Sequence, residues 1–208
     1  MTTAGVTPDA ATPAGNTYDK YGTGNPVARR LMAGFTRTVD GLLASAAPAS
    51  VLDVGCGEGI LTERWARRWP AAEFTGVDLD DPGLQAEWAG RQRPNLAFAV
   101  ADGAALPYAD GAFDCVTAIE ALEHVPSPDA VLAEMCRCAS RHVLVSVPRE
   151  PLWRALNLAR GAYWREAGNT PGHLNHWSRR SFARLLGRHG EVVAVRSPAP
   201  WTVVLIRV

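Results

Sequence analysis

Short apolar runs alternate with stretches of helical periodicity along most of this chain. Five apolar runs predict strands over residues 51–55, 73–78, 96–100, 114–119 and 143–148. Apolar residues at helical spacing predict helices over about 25–46, 59–69, 82–92, 128–139 and 179–189. Two further apolar runs, 192–195 and 203–208, end the chain. This alternation is typical of an α/β fold, in which helices cover both faces of a parallel sheet.

The last two predicted strands are joined by only a short turn that contains Pro198 and Pro200. They should therefore pair antiparallel, because a parallel crossover needs about a dozen residues or more. In such a sheet, ligands bind outside the carboxyl ends of the parallel strands. Residues 1–17 are rich in Thr, Ala, Pro and Gly and predict a disordered tail, which leaves 18–208 as a single domain.

The first strand leads into a glycine-rich loop that opens a helix. Asp53 lies near the end of this strand, and Gly55, Gly57 and Gly59 follow at alternate positions. Glycines there let the backbone approach a ligand closely and present it to the positive end of the helix. A tight turn without a ligand is the alternative. The carboxylate in an apolar strand argues against it, since such a group is costly to bury unless something pairs with it.

The segment Asp53-Val54-Gly55-Cys56-Gly57-Glu58-Gly59 resembles motif I, D-x-G-x-G-x-G, of the class I S-adenosylmethionine-dependent methyltransferases. A dinucleotide fingerprint would instead need Gly or Ala at Ile60. Asp78, Asp102 and Glu120 follow the next three strands in the same order as in this family. The resemblance is closest to the small metabolite-modifying members, similar to methyltransferase type 11. It implies a Rossmann-like fold with a closing antiparallel hairpin, and S-adenosyl-L-methionine as the cofactor.

The resemblance also implies roles for individual residues. Asp78 should hold the ribose hydroxyls, and Asp102 should accept a hydrogen bond from the adenine amino group. Asp53 should hold the amino-acid end of the cofactor, together with Gly55 and Gly57. The other cofactor contacts expected are Cys56, Leu79, Gly103, Glu120, and Tyr18 or Tyr21 from a segment that folds over the cofactor. For this tyrosine segment, docking for stability alone is the alternative.

Residues 149–177 are long for a connection between a strand and a helix, which predicts a substrate lid. Its aromatic residues predict a helix over about 151–166 that forms a wall of the substrate pocket, and packing over the core alone is the alternative. His173 and His176 in this segment, and His124 after the fourth strand, are the candidate catalytic residues, because imidazole titrates near neutral pH. Backbone capping by the two lid histidines and a structural role for His124 are the alternatives.

Charge and composition narrow the classes of function. The 208 residues carry no net charge, but residues 149–208 contain 10 Arg against 3 Glu, while residues 1–148 contain 11 basic against 18 acidic residues. The basic part either pairs with the acidic part or favours an anionic substrate. Cys136 and Cys138 point apart on a helix, so no metal site is predicted. The chain has no apolar run that could insert into a membrane and no signal peptide, which predicts a cytoplasmic protein.

We therefore expect methyl transfer to a small-molecule acceptor, anionic or aromatic, by in-line displacement. A nucleic-acid or protein methyltransferase is one alternative, which the neutral charge and the absence of an N/D-P-P-Y/F tetrapeptide after the fourth strand disfavour. A protein that binds S-adenosylmethionine without methylating is another. The sequence leaves a monomer and a homodimer equally open.

Overall fold

The computed structural model describes residues 25–208 of the chain. The predictions for the tail 1–17, and those for Tyr18 and Tyr21, lie outside these residues. The helices are α1 (Pro26–Ala46), α2 (Ile60–Arg68), α3 (Pro82–Ala89), α4 (Pro128–Cys138), α5 (Leu152–Ala159) and α6 (Arg179–Leu186). The strands are β1 (Ser50–Val54), β2 (Glu73–Asp78), β3 (Leu96–Val100), β4 (Phe113–Ile119), β5 (Ala139–Pro148), β6 (Glu191–Arg196) and β7 (Trp201–Arg207).

All seven strands form one sheet in the order β3-β2-β1-β4-β5-β7-β6. The first five pair in parallel, β7 lies antiparallel to β5, and β6 lies antiparallel to β7. The predicted parallel sheet with a C-terminal antiparallel hairpin is therefore confirmed. The strand order reverses between β1 and β4, so the carboxyl ends of these strands border the crevice where ligands bind in folds of this kind.

Two hydrophobic clusters cover the two faces of the sheet, as predicted. One contains Phe35 of α1 and Trp65 of α2, and the other contains Leu132 of α4 and Phe182 of α6. Helix α1 begins where the sequence suggests, because the Asn25 side chain accepts hydrogen bonds from the first turn and Pro26 occupies its first position. In the part of the chain that the structure describes, no helix is both long enough and apolar enough to cross a membrane.

Several predicted boundaries differ from the observed ones. The helix predicted over about 151–166 ends at Ala159, because Gly161 and Tyr163 adopt positive φ angles of 76° and 57° that interrupt the helix. Helices α3 and α6 end earlier than predicted, immediately before a glycine in each case. Strand β5 begins at Ala139 instead of 143, because its polar first residues still pair with β4.

Helix α1 is joined to α2 by the buried carboxylate of Asp40. It accepts hydrogen bonds from the Arg64 guanidinium and from the indole Nε1–H of Trp65, at 3.0 Å in the second case. Trp65 is fully buried, so its N–H has no access to water as a substitute acceptor. This contact holds the helix that follows the glycine loop against the first helix.

Replacing Asp40 by Ala should lower the free energy of unfolding by about 1–3 kcal/mol, because the Trp65 N–H is then buried without an acceptor. Asp40→Asn keeps an acceptor oxygen and should lose less. Urea unfolding followed by circular dichroism measures both changes. Equal losses in the two variants, or a loss for Asp40→Ala within about 0.5 kcal/mol of zero, would contradict this prediction.

Candidate active site

The glycine loop after β1 is fixed to the end of β2 by backbone hydrogen bonds. The amides of Gly55 and Cys56 both donate to the Val77 carbonyl, at 2.9 and 3.1 Å. The Gly57 amide donates to the Asp78 carboxylate at 2.7 Å. The loop and the carboxylate therefore form one rigid corner at the carboxyl edge of the sheet.

Two glycines of the loop have different physical reasons to be glycine. Both have positive φ angles, 71° at Gly55 and 54° at Gly57, which side chains rarely adopt. A Cβ at Gly55 would lie 2.6 Å from the Cβ of Ala121, so packing alone requires glycine there. A Cβ at Gly57 would meet no atom within 4 Å. Gly57 therefore exposes its backbone to open space, where a ligand can approach it.

Asp53 is buried at the end of β1, with only 2% of its surface exposed. Its two carboxylate oxygens accept hydrogen bonds from the hydroxyls of Thr62 and Thr117, at 2.6 and 2.7 Å. Burial nevertheless raises the pKa of Asp53 from 3.8 to about 6, with a smaller contribution from the negative charge of Asp78. The carboxylate thus lies beneath the loop and joins β1, α2 and β4.

Asp78 is better placed than Asp53 to touch a ligand directly. It is half-buried, and its two oxygens accept hydrogen bonds from the amides of Gly57 and Leu79. Burial raises the pKa of Asp78 above its ordinary value. A carboxylate has about four lone-pair sites, so about two stay available for hydroxyl groups of a ligand. Leu79 beside it is 55% exposed.

The other expected cofactor residues lie around the same edge. Asp102 is exposed and accepts a hydrogen bond from the Ala104 amide at 2.9 Å, which shapes the loop after β3. A Cβ at Gly103 would lie 3.0 Å from Val54, so the loop packs closely on β1. Burial, together with the nearby carboxylates, raises the pKa of the Cys56 thiol, which therefore stays protonated and unreactive.

Glu120 follows β4 with a positive φ angle of 60°, an unusual conformation for a residue with a side chain. Its carboxylate accepts hydrogen bonds from the Ser146 hydroxyl at 3.0 Å and from Nε1–H of Trp201 at 2.7 Å. Neither of these two partners of Glu120 was expected from the sequence. The available signals were Ser146, as the polar residue within the apolar run 143–148, and Trp201, directly after Pro200.

The segment 149–177 closes on itself and on the turn after β4. The Glu150 amide donates to the Trp177 carbonyl at 2.9 Å, which joins the two ends of the segment. Further along, the amides of Leu174 and Asn175 donate to the Glu123 carbonyl, at 2.8 and 3.1 Å. This segment therefore lies beside the carboxyl end of β4.

The structure brings together two of the three candidate histidines. The rings of His124 and His173 meet edge to face, with centroids 4.9 Å apart, and His173 also stacks on Trp153. His173 is buried, whereas His124 is partly exposed. His176 is exposed as a residue, and its Nε2 lies 2.7 Å from the Asn169 side-chain oxygen. Partial burial of its imidazole ring lowers the pKa of His176.

The basic C-terminal part makes few direct ion pairs with the acidic part. Among residues 25–208, the salt bridges between the two parts join Asp129 to Arg188 and His189, at 2.6 and 3.1 Å. The salt bridge of Arg154 with Glu150 lies within the 149–177 segment itself. Direct pairing thus involves one carboxylate of the acidic part.

Known proteins share the family pattern and the fold of this chain. A family model described as a methyltransferase domain matches residues 27–194. A solved structure of magnesium protoporphyrin IX methyltransferase from Synechocystis, with bound SAH, is 20% identical, covers 89% of each chain and has a TM-score of 0.62. At that identity the likeness establishes the fold.

The curated relatives carry a more specific name than the family model does. The ubiquinone biosynthesis O-methyltransferase of Methylococcus capsulatus is 32% identical over 164 residues, which cover 70% of this chain and 68% of the relative. The protein of the same name from Psychrobacter cryohalolentis is 43% identical over 88 residues, or 39% of this chain and 33% of the relative. The chain spans about a third of the length of this second relative.

The raised pKa of Asp53 predicts a pH-dependent stability. Folding raises this pKa, so the folded protein gains stability as the pH falls from about 6 towards about 4, and the cost of the buried charge is fully present above about pH 6. Compared with Asp53→Asn, which cannot titrate, the wild type should gain about 1 kcal/mol between about pH 7 and pH 5. Urea unfolding at both pH values measures this difference, and an unchanged difference between the two proteins would contradict it.

Proposed function

Since the chain belongs to the class I S-adenosylmethionine-dependent methyltransferase family, we propose that it transfers a methyl group to a hydroxyl oxygen of a small aromatic acceptor. The observation that carries this proposal is the position of the 149–177 segment. Its hydrogen bonds to Glu123 bring His173 beside His124 at the carboxyl end of β4. An acceptor held there lies next to the edge of the sheet that binds the cofactor.

The cofactor residues are proposed as follows. Asp78 holds the ribose with the lone pairs that Gly57 and Leu79 leave available, and the open space at Gly57 receives the amino-acid end. Asp53 contributes its negative charge from beneath the loop. It also orients the loop through its hydrogen bond with Thr62. The exposed Asp102 contacts the adenine. Cys56, Gly103 and Glu120 border the same edge.

S-Adenosylmethionine supplies an electrophilic methyl group when bound, and the task of the protein is mainly to hold the acceptor in line with it. Such positioning is worth about 7–11 kcal/mol in well-oriented reactions. Trp153, which contacts both His173 and Trp201, provides an aromatic wall for a ring-shaped acceptor. The name of the relatives, an O-methyltransferase of ubiquinone biosynthesis, supports a hydroxyl acceptor.

The remaining task is to remove the proton of the acceptor hydroxyl. We assign it to the pair His124 and His173, because their rings touch each other beside the turn after β4. His176 is bonded to Asn169 within the lid, and we assign it to holding the lid segment instead.

A screen of acceptors tests the proposal. The purified protein is incubated with methyl-labelled S-adenosylmethionine and a panel of phenols, catechols and aromatic acids, with matched anilines, thiols, RNA and protein substrates. We expect S-adenosylhomocysteine to form with a hydroxyl-bearing aromatic compound and not in samples without an acceptor. Turnover confined to RNA or protein would favour that alternative, and binding of the cofactor without any turnover would favour a non-methylating protein.

Histidine variants test the assignment of the proton-removing pair. His124→Ala and His173→Ala should each lower kcat by about 10²–10⁴ with the best acceptor, because loss of the hydroxyl proton is then unassisted. The affinity for S-adenosylhomocysteine should not change. His176→Ala is the matched control, since it removes an imidazole from the same segment and should keep near-normal kcat. Near-normal kcat in both His124→Ala and His173→Ala would refute the assignment.

A further inference from the structure

Helices α1 and α2 cover the same face of the sheet, and a groove with a volume of about 650 Å³ lies between them. Four arginines line this groove, Arg29 and Arg37 from α1 with Arg64 and Arg68 from α2. Among the described residues that line it, Asp40 alone is acidic. The first 148 residues carry more acidic than basic side chains, so this groove concentrates positive charge against the local composition.

We propose that the groove binds a small anion with a chain of linked phosphates, either inorganic or as part of a nucleotide. Guanidinium groups bind phosphate oxygens through paired hydrogen bonds, which are stronger than those between neutral groups. Four positive groups against one carboxylate give the groove a net charge of +3. An anion with several charges would balance this excess.

The spacing of the arginines favours an extended anion. Arg29 and Arg37 are eight residues apart on α1, which separates their Cα atoms by about 12 Å along the helix axis. Arg64 and Arg68 are one turn apart on α2. The positive charge is therefore spread along the groove, which a chain of phosphates can follow and a single phosphate group cannot.

Arg29 and Arg37 are available to a ligand. Both are exposed, and neither forms an ion pair or a side-chain hydrogen bond with another residue of the range 25–208. By contrast, Arg137 on α4 pairs with Glu134 at 2.8 Å. A phosphate group could therefore bind the two α1 arginines without first breaking a contact with those residues.

Asp40 positions the two α2 arginines at the groove but carries only one negative charge. Its carboxylate lies 2.5 Å from the Arg64 guanidinium and 3.6 Å from that of Arg68. Arg68 also lies over the Trp69 ring, 5.4 Å from its centroid. Each guanidinium has five N–H donors, so donors remain for an anion. Side chains that are already held lose less conformational freedom when a ligand binds.

The hydroxyl of Thr36 adds a neutral donor to the same groove. It lies next to Arg37 in the sequence and is partly buried. A hydroxyl beside guanidinium groups can donate a further hydrogen bond to a phosphate oxygen.

Calorimetric titration with tripolyphosphate tests the proposal. The protein is titrated at an ionic strength of about 0.1 M, with and without saturating S-adenosylhomocysteine, so that binding at the cofactor edge is recognised. We expect one tripolyphosphate per chain with a Kd below about 1 mM in both conditions, and inorganic phosphate to bind at least about tenfold more weakly. Absence of saturable binding, equal affinity for inorganic phosphate, or loss of binding with S-adenosylhomocysteine would overturn the proposal.

Variants locate the anion. Arg29→Ala and Arg37→Ala should each weaken tripolyphosphate binding by about fivefold or more, because each removes a pair of donors to phosphate. Arg30→Ala is the matched control, since it removes the same charge from an exposed position of α1 outside the groove, and it should bind as the wild type does. Wild-type affinity in Arg29→Ala and Arg37→Ala, or an equal loss in Arg30→Ala, would overturn the proposal.

Further ligands separate the two sources of a phosphate chain. ATP that binds more tightly than tripolyphosphate, and loses affinity in Arg37→Ala, supports the site and identifies a nucleotide as its ligand. Equal affinities of ATP and tripolyphosphate support the site and identify the phosphate chain alone. Binding of RNA without any binding of tripolyphosphate would overturn the proposal.

The outcomes are independent of the proposed function. Arg37→Ala should keep the wild-type affinity for S-adenosylhomocysteine and the wild-type rate of methyl transfer, because Arg37 lies on the outer side of α1. A groove that binds no polyphosphate therefore leaves the proposed methyl transfer intact, and a protein that methylates no acceptor can still bind polyphosphate in this groove.

Discussion

The site is organised around one buried carboxylate. Asp53 holds the hydroxyls of Thr62 and Thr117, and through them it joins the end of β1 to the helix after the glycine loop and to β4. A carboxylate is costly to bury, and its raised pKa reports that the two hydrogen bonds offset the cost only in part. The carboxylate therefore lies at the carboxyl end of β1, the edge of the sheet where ligands bind in folds of this kind.

The second part of the site comes from residues 149–177, which lie far along the chain from the turn they contact. The 149–177 segment, which follows β5, is hydrogen-bonded to the Glu123 carbonyl in the turn after β4. Two side chains from the lid and the turn, His173 and His124, meet as a result. In the proposed site, the cofactor-binding groups come from the strand ends, while His124 comes from the turn after β4 and His173 from the long connection. Under the proposed function, a change in the 149–177 segment should alter the choice of acceptor without disturbing the cofactor edge.

The sequence was most informative where the chemistry is local. Glu73–Asp78 and Leu96–Val100 were predicted to the residue, since each is an apolar run bounded by polar or turn residues. The helix predicted over 151–166 was too long, because its apolar spacing continues beyond the point where Gly161 turns the chain. Contacts between segments far apart in the sequence, such as that of Asp53 with Thr117, leave no local pattern in the sequence. Only the folded structure identifies such contacts.

The claim on which everything else depends is that the edge of the sheet binds S-adenosylmethionine through Asp78. Calorimetric titration with S-adenosylhomocysteine tests it directly, on the wild type, on Asp78→Ala, and on Asp110→Ala as a control for loss of an exposed carboxylate before β4. We expect binding by the wild type and the control, affinity reduced about tenfold or more in Asp78→Ala because ribose hydroxyls lose their acceptor, and no binding of NAD. Equal affinities in all three proteins, or binding of NAD in place of S-adenosylhomocysteine, would contradict the claim.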